Sequence, residues 1–500
     1  MSEVPTFAVV GAVNHGKSSV VATLSEDDTV RVSRMPGETV ASQLFKLRDL
    51  FQFYDTPGFQ NASEALVELK PAASAREPLQ VFREFISRHQ RDPDFDAECR
   101  LLEPVVTGAG IIYVVDGSEP LREGHVDEMD ILRLTGAPRL AIINRTGADD
   151  HLQEWKVRLD QHFNVVREFN AHYATFADRI ELLKALAGIE KRWRPQLEKA
   201  IALLEEEWRT RITDSAEIIE AMLDDCLSHQ ETELIAGTGP VARERQETAL
   251  RQRYEKAICK AEARAHGKII ECFNHRLVEA ESTGEELFEE GLFSEETWTM
   301  FGLNNAQLAA IAGFIGMATG AKAGAVIELA GTGGTTSIGT GGITTATAAA
   351  IGGVVGLITG VGGALWFGKG RPELKVDVPW FGRRQLSGAA MRVGPCASWD
   401  FPWVLLDRAL GVFLHVSNRA HARREQTRIN SARMKKALDG AGISASRWPD
   451  DCRKECAKIF ARMRTGKATA EDRRALGEIL ASRLHEVASQ RTSLDAALIG

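Results

Sequence analysis

An apolar run from Phe7 to Val10 leads straight into Gly11-Ala12-Val13-Asn14-His15-Gly16-Lys17-Ser18. A buried strand turning through a glycine loop into a helix leaves few architectures open, and the spacing G-x-x-x-x-G-K-S selects the one whose loop wraps a polyphosphate. Gly11 and Gly16 keep side chains away, so backbone N–H groups can close on phosphate oxygens at the positive end of the following helix. Lys17 is expected to reach the β- and γ-phosphates, and the Ser18 hydroxyl to ligate Mg2+. A plain glycine turn would satisfy the spacing as well, but a second motif answers the first.

That motif is Asp55-Thr56-Pro57-Gly58, which ends the apolar stretch Leu50 to Tyr54, 38 residues after Lys17. At that place a carboxylate holds Mg2+ through its shell and the glycine N–H senses the γ-phosphate. Between the motifs lies Pro36-Gly37-Glu38-Thr39. Thr39 is either a switch threonine closing on Mg2+ and phosphate or an ordinary turn residue. The expected catalytic set is therefore Lys17, Thr39 and Gly58, and the expected metal set Ser18, Thr39 and Asp55.

The Asn14-to-Ser18 form of the loop and the Asp55-to-Gly58 switch resemble the TrmE/Era-type, translation-factor-class P-loop GTPases over roughly residues 5–175. The whole chain is more similar still to a bacterial group in which such a GTPase is fused to a long C-terminal domain of unknown function. Tyr113-Val114-Val115-Asp116, Phe169-Asn170-Ala171-His172, Leu405 to Leu410 and Asn418 to Ala422 carry that likeness. The resemblance implies GTP with Mg2+, and a nucleotide-binding set of Gly11, Asn14, His15, Gly16, Lys17, Ser18 and Ser19, with Asn144 and Arg145 at the base.

At the base the chain departs from the pattern. Guanine-specific members carry N-K-x-D, whereas this chain reads Asn144-Arg145-Thr146-Gly147. Asn144 can still hold the loop and Arg145 can still lie along the base, but the carboxylate that pairs with the guanine edge is missing. A site without that acceptor discriminates less. GTP, ATP and relaxed specificity all stay open, with Asp149 or Asp150 as substitutes and Asn170-Ala171 as a further base-side loop. Phe59 follows Gly58 where Ras-type enzymes place the glutamine that orients water, and Gln60 comes one residue late. Intrinsic hydrolysis is expected to be slow, and acceleration falls to a partner, to self-association or to a monovalent cation near Asn14.

Alternating strand and helix signals over residues 1–175 predict an α/β doubly wound sheet with a helical insertion at about 60–108. The strands expected are Phe7 to Val10, Gln43 to Arg48, Leu50 to Tyr54, Ile111 to Asp116, Leu140 to Asn144 and Val165 to Phe169; the inserted helices are Leu79 to Gln90 and Ala97 to Val106. A charged helical region follows at 176–300, where Trp193, Leu197, Ile201, Leu204, Trp208 and Ile212 mark one apolar face. That face fits a helix packed within the chain or a coiled coil between two copies.

Residues 301–370 are apolar and rich in Gly and Ala, with forty uncharged residues in a row from Leu329 to Gly368. Gly316, Gly320 and Gly324 repeat every four residues, as do Gly352, Gly356 and Gly360. The spacing predicts a glycine-zipper helical hairpin. Residues 307–368 are long enough to enter a membrane, and burial within the fold is the other reading. Residues 371–500 read as a mainly helical α+β region, with short strands at Leu374 to Val378 and Ala390 to Val393 and an amphipathic helix from Phe401 to Arg424. Arg428, Arg433, Lys435 and Lys436 then bind anionic headgroups or form a solvated face.

The net charge of −8 argues against a nucleic-acid partner, and seven scattered cysteines fit a reducing compartment. Cys452 and Cys456 read as helix-face residues rather than metal ligands. Met1 to Thr6 runs into the first strand, so no signal peptide is expected. The expectation is a cytoplasmic, slow, Mg2+-dependent GTPase switch at the inner face of the membrane. The alternatives are a soluble regulatory GTPase that binds a protein partner through its C-terminal helices, and an NTPase of relaxed base specificity.

Overall fold

The computed structural model describes residues 4–26, 43–47, 50–145, 147, 150–235, 239–274, 287–318, 356–360, 363–367, 376–377, 390–420 and 428–489. The chain divides into two units, one mainly residues 1–210 and the other mainly 211–500.

In the first unit, β1 (Thr6–Val10), β2 (Gln43–Leu47), β3 (Phe51–Asp55), β4 (Gly110–Asp116), β5 (Arg139–Asn144) and β6 (Val166–Glu168) form one sheet in the order β2-β3-β1-β4-β5-β6. Every pair is parallel except β2 with β3. The expected doubly wound sheet is thus a mixed one with an antiparallel edge. The reason is length: Leu47 and Phe51 are too close in sequence for a parallel crossover, which takes a dozen residues or more.

Helices α1 (Lys17–Ser25), α2 (Ala62–Ala75), α3 (Pro78–His89), α4 (Asp96–Val106), α5 (Glu123–Leu134), α6 (Leu152–His162) and α7 (Phe176–Ile189) cover both faces. Side chains alternate along β1, so Phe7 and Val9 enter the layer with α1 and α7, while Ala8 and Val10 enter the layer with α2 to α6. The insertion between β3 and β4 holds three helices where sequence patterning predicts two. The unforeseen one, α2, contains Pro71, and an interior proline costs a helix hydrogen bond and normally marks an end.

Helix α8 (Arg194–Ser228) follows. Trp193 and the Leu197, Ile201 and Leu204 face are buried against the sheet in the layer of Phe7 and Val9. The Trp193 ring meets Phe7 edge-on at 5.1 Å. Gly110 makes room for it, since a Cβ there would stand 2.7 Å from the indole. This stretch of the apolar face is therefore consumed within the chain and not by a coiled coil.

The second unit contains β7 (Glu231–Leu234), α9 (Pro240–Cys272), α10 (Glu295–Met300), α11 (Asn305–Ala318), β8 (Gly356–Gly360), β9 (Gly363–Phe367), β10 (Val376–Asp377), β11 (Ala390–Val393), α12 (Phe401–Ser417), α13 (Ser431–Gly440), α14 (Asp450–Arg464) and α15 (Ala470–Ser489). Strands β10, β11 and β7 pair antiparallel in that order.

Most of the tract expected as a glycine-zipper hairpin lies outside the described residues. Where it is described, its second arm is not helical: β8 and β9 pair antiparallel, so Gly356 and Gly360 stand in a strand. Each interior Gly costs a helix about 1 kcal/mol, whereas β-branched Ile358 and Thr359 suit a strand. Among the described residues no helix is long and apolar enough to cross a membrane.

The helix expected as amphipathic from Phe401 to Arg424 is α12, shorter and buried on every face. Its charged residues are paired. Arg408 grips Glu262 of α9 through two bonds, at 2.6 and 3.2 Å. Asp407 accepts from the N–H groups of Gly302 at 2.9 Å and Ala445 at 2.7 Å. Lys435, expected in a free basic run, lies 2.9 Å from Asp439 and 3.6 Å from Asp407. Cys452 and Cys456 are free thiols on α14, and no cluster of metal-ligating side chains occurs among the described residues.

Candidate functional site

The loop from Gly11 to Ser18 leaves β1 at its carboxyl end and enters α1, with Gly11 at φ +145°, Asn14 at +67° and Gly16 at +85°. Asn tolerates the left-handed region better than most side chains, which fits its place at the exposed crest of the loop. Gly11 is sterically required, because a Cβ would lie 2.2 Å from the Val114 carbonyl of β4.

Lys17 is buried and donates to the carbonyls of Gly11 at 3.2 Å and Ala12 at 2.8 Å, so its ammonium spans the loop. Burial lowers its pKa to about 8, while Asp55 and Glu128 oppose the fall. Ser18 donates to Oδ2 of Asp55 at 2.7 Å. The other oxygen of Asp55 is buried without a hydrogen-bond partner among the described residues, and burial raises the acid's pKa. A hydroxyl and a carboxylate meeting at a phosphate loop, with one carboxylate oxygen unsatisfied, is a donor set that fits Mg2+; Ser18 and Asp55 would hold the ion, which supplies charge neutralisation at the phosphates. Ser19 is buried at the start of α1. Thr39 lies outside the described residues.

His15 is buried beneath the loop, its ring 5.2 Å from that of His125 and edge-on to Trp155 at 6.3 Å. Burial first, then the neighbouring His125 and Lys17, lower its pKa to about 3. Its Nε2 lies 4.0 Å from a carboxylate oxygen of Glu119, and its backbone carbonyl accepts from Nδ2 of Asn144 at 3.3 Å.

Asn144 is fully buried, and its Oδ1 accepts from Ala171 N–H at 3.0 Å. Asn170 donates to the Arg145 carbonyl at 2.9 Å. The phosphate loop, the end of β5 and the Asn170-Ala171 loop are thereby laced together, with Arg145 exposed.

Sequence reasoning missed Ser118. Its hydroxyl accepts from Gly147 N–H at 3.0 Å and donates to Asp116 at 2.5 Å. A Cβ at Gly147 would stand 2.9 Å from that hydroxyl, so a side chain at the position where guanine-specific members carry aspartate would displace Ser118. The signal available was Asp116-Gly117-Ser118, a turn-forming triplet at a strand end. Asp150 is exposed and accepts from Leu152 N–H at 3.1 Å, at the start of α6; Asp149 lies outside the described residues.

Phosphate loop, Ser18–Asp55 pair and strand order together define a P-loop GTPase domain, a class that takes GTP with Mg2+. The family described as 50S ribosome-binding GTPase matches residues 6–145. The domain of unknown function DUF3482 matches residues 156–482, more than half of the chain, and the chain belongs to that family. It is 25% identical over 195 residues to the probable GTP-binding protein EngB of Bacillus cytotoxicus, covering 38% of this chain and 84% of the relative. It is also 25% identical over 187 residues to the same-named protein of Shewanella piezotolerans, covering 37% and 70%. Among solved structures, Era of Aquifex aeolicus is 15% identical with a TM-score of 0.27, over 48% of this chain and 75% of that one. The fold assignment rests on strand order and loop geometry.

Proposed function

We propose that the chain is a cytoplasmic GTP switch with slow intrinsic hydrolysis, in which GTP and Mg2+ order the switch and the C-terminal region passes the change to a protein partner. The observation that carries this reading is the Ser18–Asp55 bond of 2.7 Å, which joins the phosphate loop to the switch strand with a carboxylate oxygen left for a metal. Lys17, Gly58 and, from the sequence, Thr39 act on the γ-phosphate, and Ser18, Thr39 and Asp55 hold Mg2+. Slow turnover follows from Phe59, which is buried in the core where an exposed glutamine would orient water. Selectivity for guanine over adenine is weaker than an aspartate at 147 would allow, because the Gly147 turn leaves no such carboxylate.

The test is equilibrium binding of GTP and ATP in Mg2+ by the full chain and by Lys17→Ala. Preferential GTP binding, weakened at least a hundredfold in the variant, supports the switch. Equal binding of both, or of neither, overturns it as a GTP switch. The uncharged run Leu329 to Gly368 favours a second reading, contact with the inner face of the membrane. Flotation with anionic liposomes decides this, and protein that stays at the bottom of the gradient with every nucleotide sinks the membrane reading.

A further inference from the structure

The switch does not end at Gly58. Phe59 pairs with Ala12 as a parallel bridge, its N–H donating to the Gly11 carbonyl at 3.4 Å. A Cβ on Gly58 would stand 2.6 Å from Val13 N, so the switch backbone lies directly on the phosphate loop. The next two N–H groups, of Gln60 and Asn61, both donate to Oε1 of Glu98, each at 2.7 Å. Glu98 belongs to α4, the last helix of the insertion, and is 0% exposed. Its Oε2 has no hydrogen-bond partner among the described residues.

A cap for α2 is the ordinary explanation of such a carboxylate. A cap, however, takes the N–H of the second or third helical residue. Glu98 instead takes the N–H of Gln60 and of Asn61, which precede the first helical residue, Ala62. It therefore holds the loop and not the helix. A buried carboxylate leaves such bonds only at the cost of its own desolvation, so the loop and α4 are energetically tied. Phe59 adds to the tie through the apolar layer it shares with Phe82 and Phe85 of α3 and Leu102 of α4.

We propose that Glu98 is a positioning residue for the switch: its carboxylate sets where the Gly58–Phe59 backbone meets the phosphate loop, and through it the inserted helices register which nucleotide is bound. This rests on the GTP reading given above. When a γ-phosphate draws on Gly58 N–H, the Glu98 bonds either carry α4 along or break, and both outcomes change the environment of the Gln60 and Asn61 amides.

The test is hydrogen exchange in the full-length chain with GDP and with a non-hydrolysable GTP analogue, together with both affinities for wild type, Glu98→Ala and Glu98→Gln. In wild type, exchange at Gln60 and Asn61 should differ at least tenfold between the two nucleotides. Glu98→Ala should lower the ratio of analogue to GDP affinity at least fivefold. Glu98→Gln, whose amide oxygen still accepts, should stay within twofold of wild type. Equal wild-type exchange in both states overturns the proposal, and does so even if the alanine variant fails to fold. An unchanged affinity ratio in a folded Glu98→Ala overturns it too, leaving Glu98 a structural anchor. Failure of wild type to bind the analogue refutes the GTP reading itself, a separate result.

Discussion

At the scale of residues, the site depends on places where no side chain fits. Gly11 combines φ +145° with a Cβ position 2.2 Å from a β4 carbonyl, so alanine there must both strain the backbone and push β4 away. Overpacking and backbone strain each cost about 1–3 kcal/mol. Gly11→Ala should therefore lower unfolding stability by about 3 kcal/mol in urea titration and abolish nucleotide binding, while a folded, binding-competent variant would show that β4 can yield. The glycines, Lys17, Ser18 and Asp55 were legible in the sequence, because a phosphate loop needs fixed residue types at fixed spacing. Ser118 and Glu98 were not, since each acts on a backbone N–H group 29 or more positions away.

At the scale of elements, periodicity located the strands and the Trp193 face but did not say what that face meets. The structure places Trp193 against Phe7, 2% exposed, with Gly110 shaped to receive it. Removing a buried aromatic costs about 3–5 kcal/mol. Trp193→Ala should lower stability by that amount in denaturant unfolding; a loss under 1 kcal/mol would mean that α8 does not brace the sheet. The elements that patterning misjudged have local causes: Pro71 hid α2, and regular glycine spacing suggested a helix where β8 and β9 form strands. Helix α12 looked amphipathic because Asp407 and Arg408 are charged, yet both are buried and paired from other elements.

At the scale of the whole molecule, burial makes stability depend on pH. His266 is buried on α9 beside Glu262 and Arg408, with the Phe288 ring 5.8 Å away. Burial, opposed by Glu262 and assisted by Arg408, lowers its pKa from 6.5 to about 4. The unfolded chain therefore binds a proton between those values that the folded chain does not, so this stability is complete above pH 6.5 and lost as pH falls toward 4. Between pH 7 and pH 5 the loss should be on the order of 2 kcal/mol. Urea midpoints at the two pH values should converge in His266→Gln relative to wild type, even though buried His15 adds a slope of the same sign. An identical slope in the variant would assign the effect elsewhere.

By itself the sequence determined the nucleotide-binding chemistry of the first unit and the alternation of its strands and helices, because these follow from residue type, spacing and period along one segment. Only the tertiary structure decided which charges are buried in pairs, which face α8 covers and which carboxylate holds the switch. Those outcomes join residues far apart in the chain, from Glu98 with Gln60 to Arg408 with Glu262. A buried charge is stable only where folding brings its partner to it, and no local pattern names that partner.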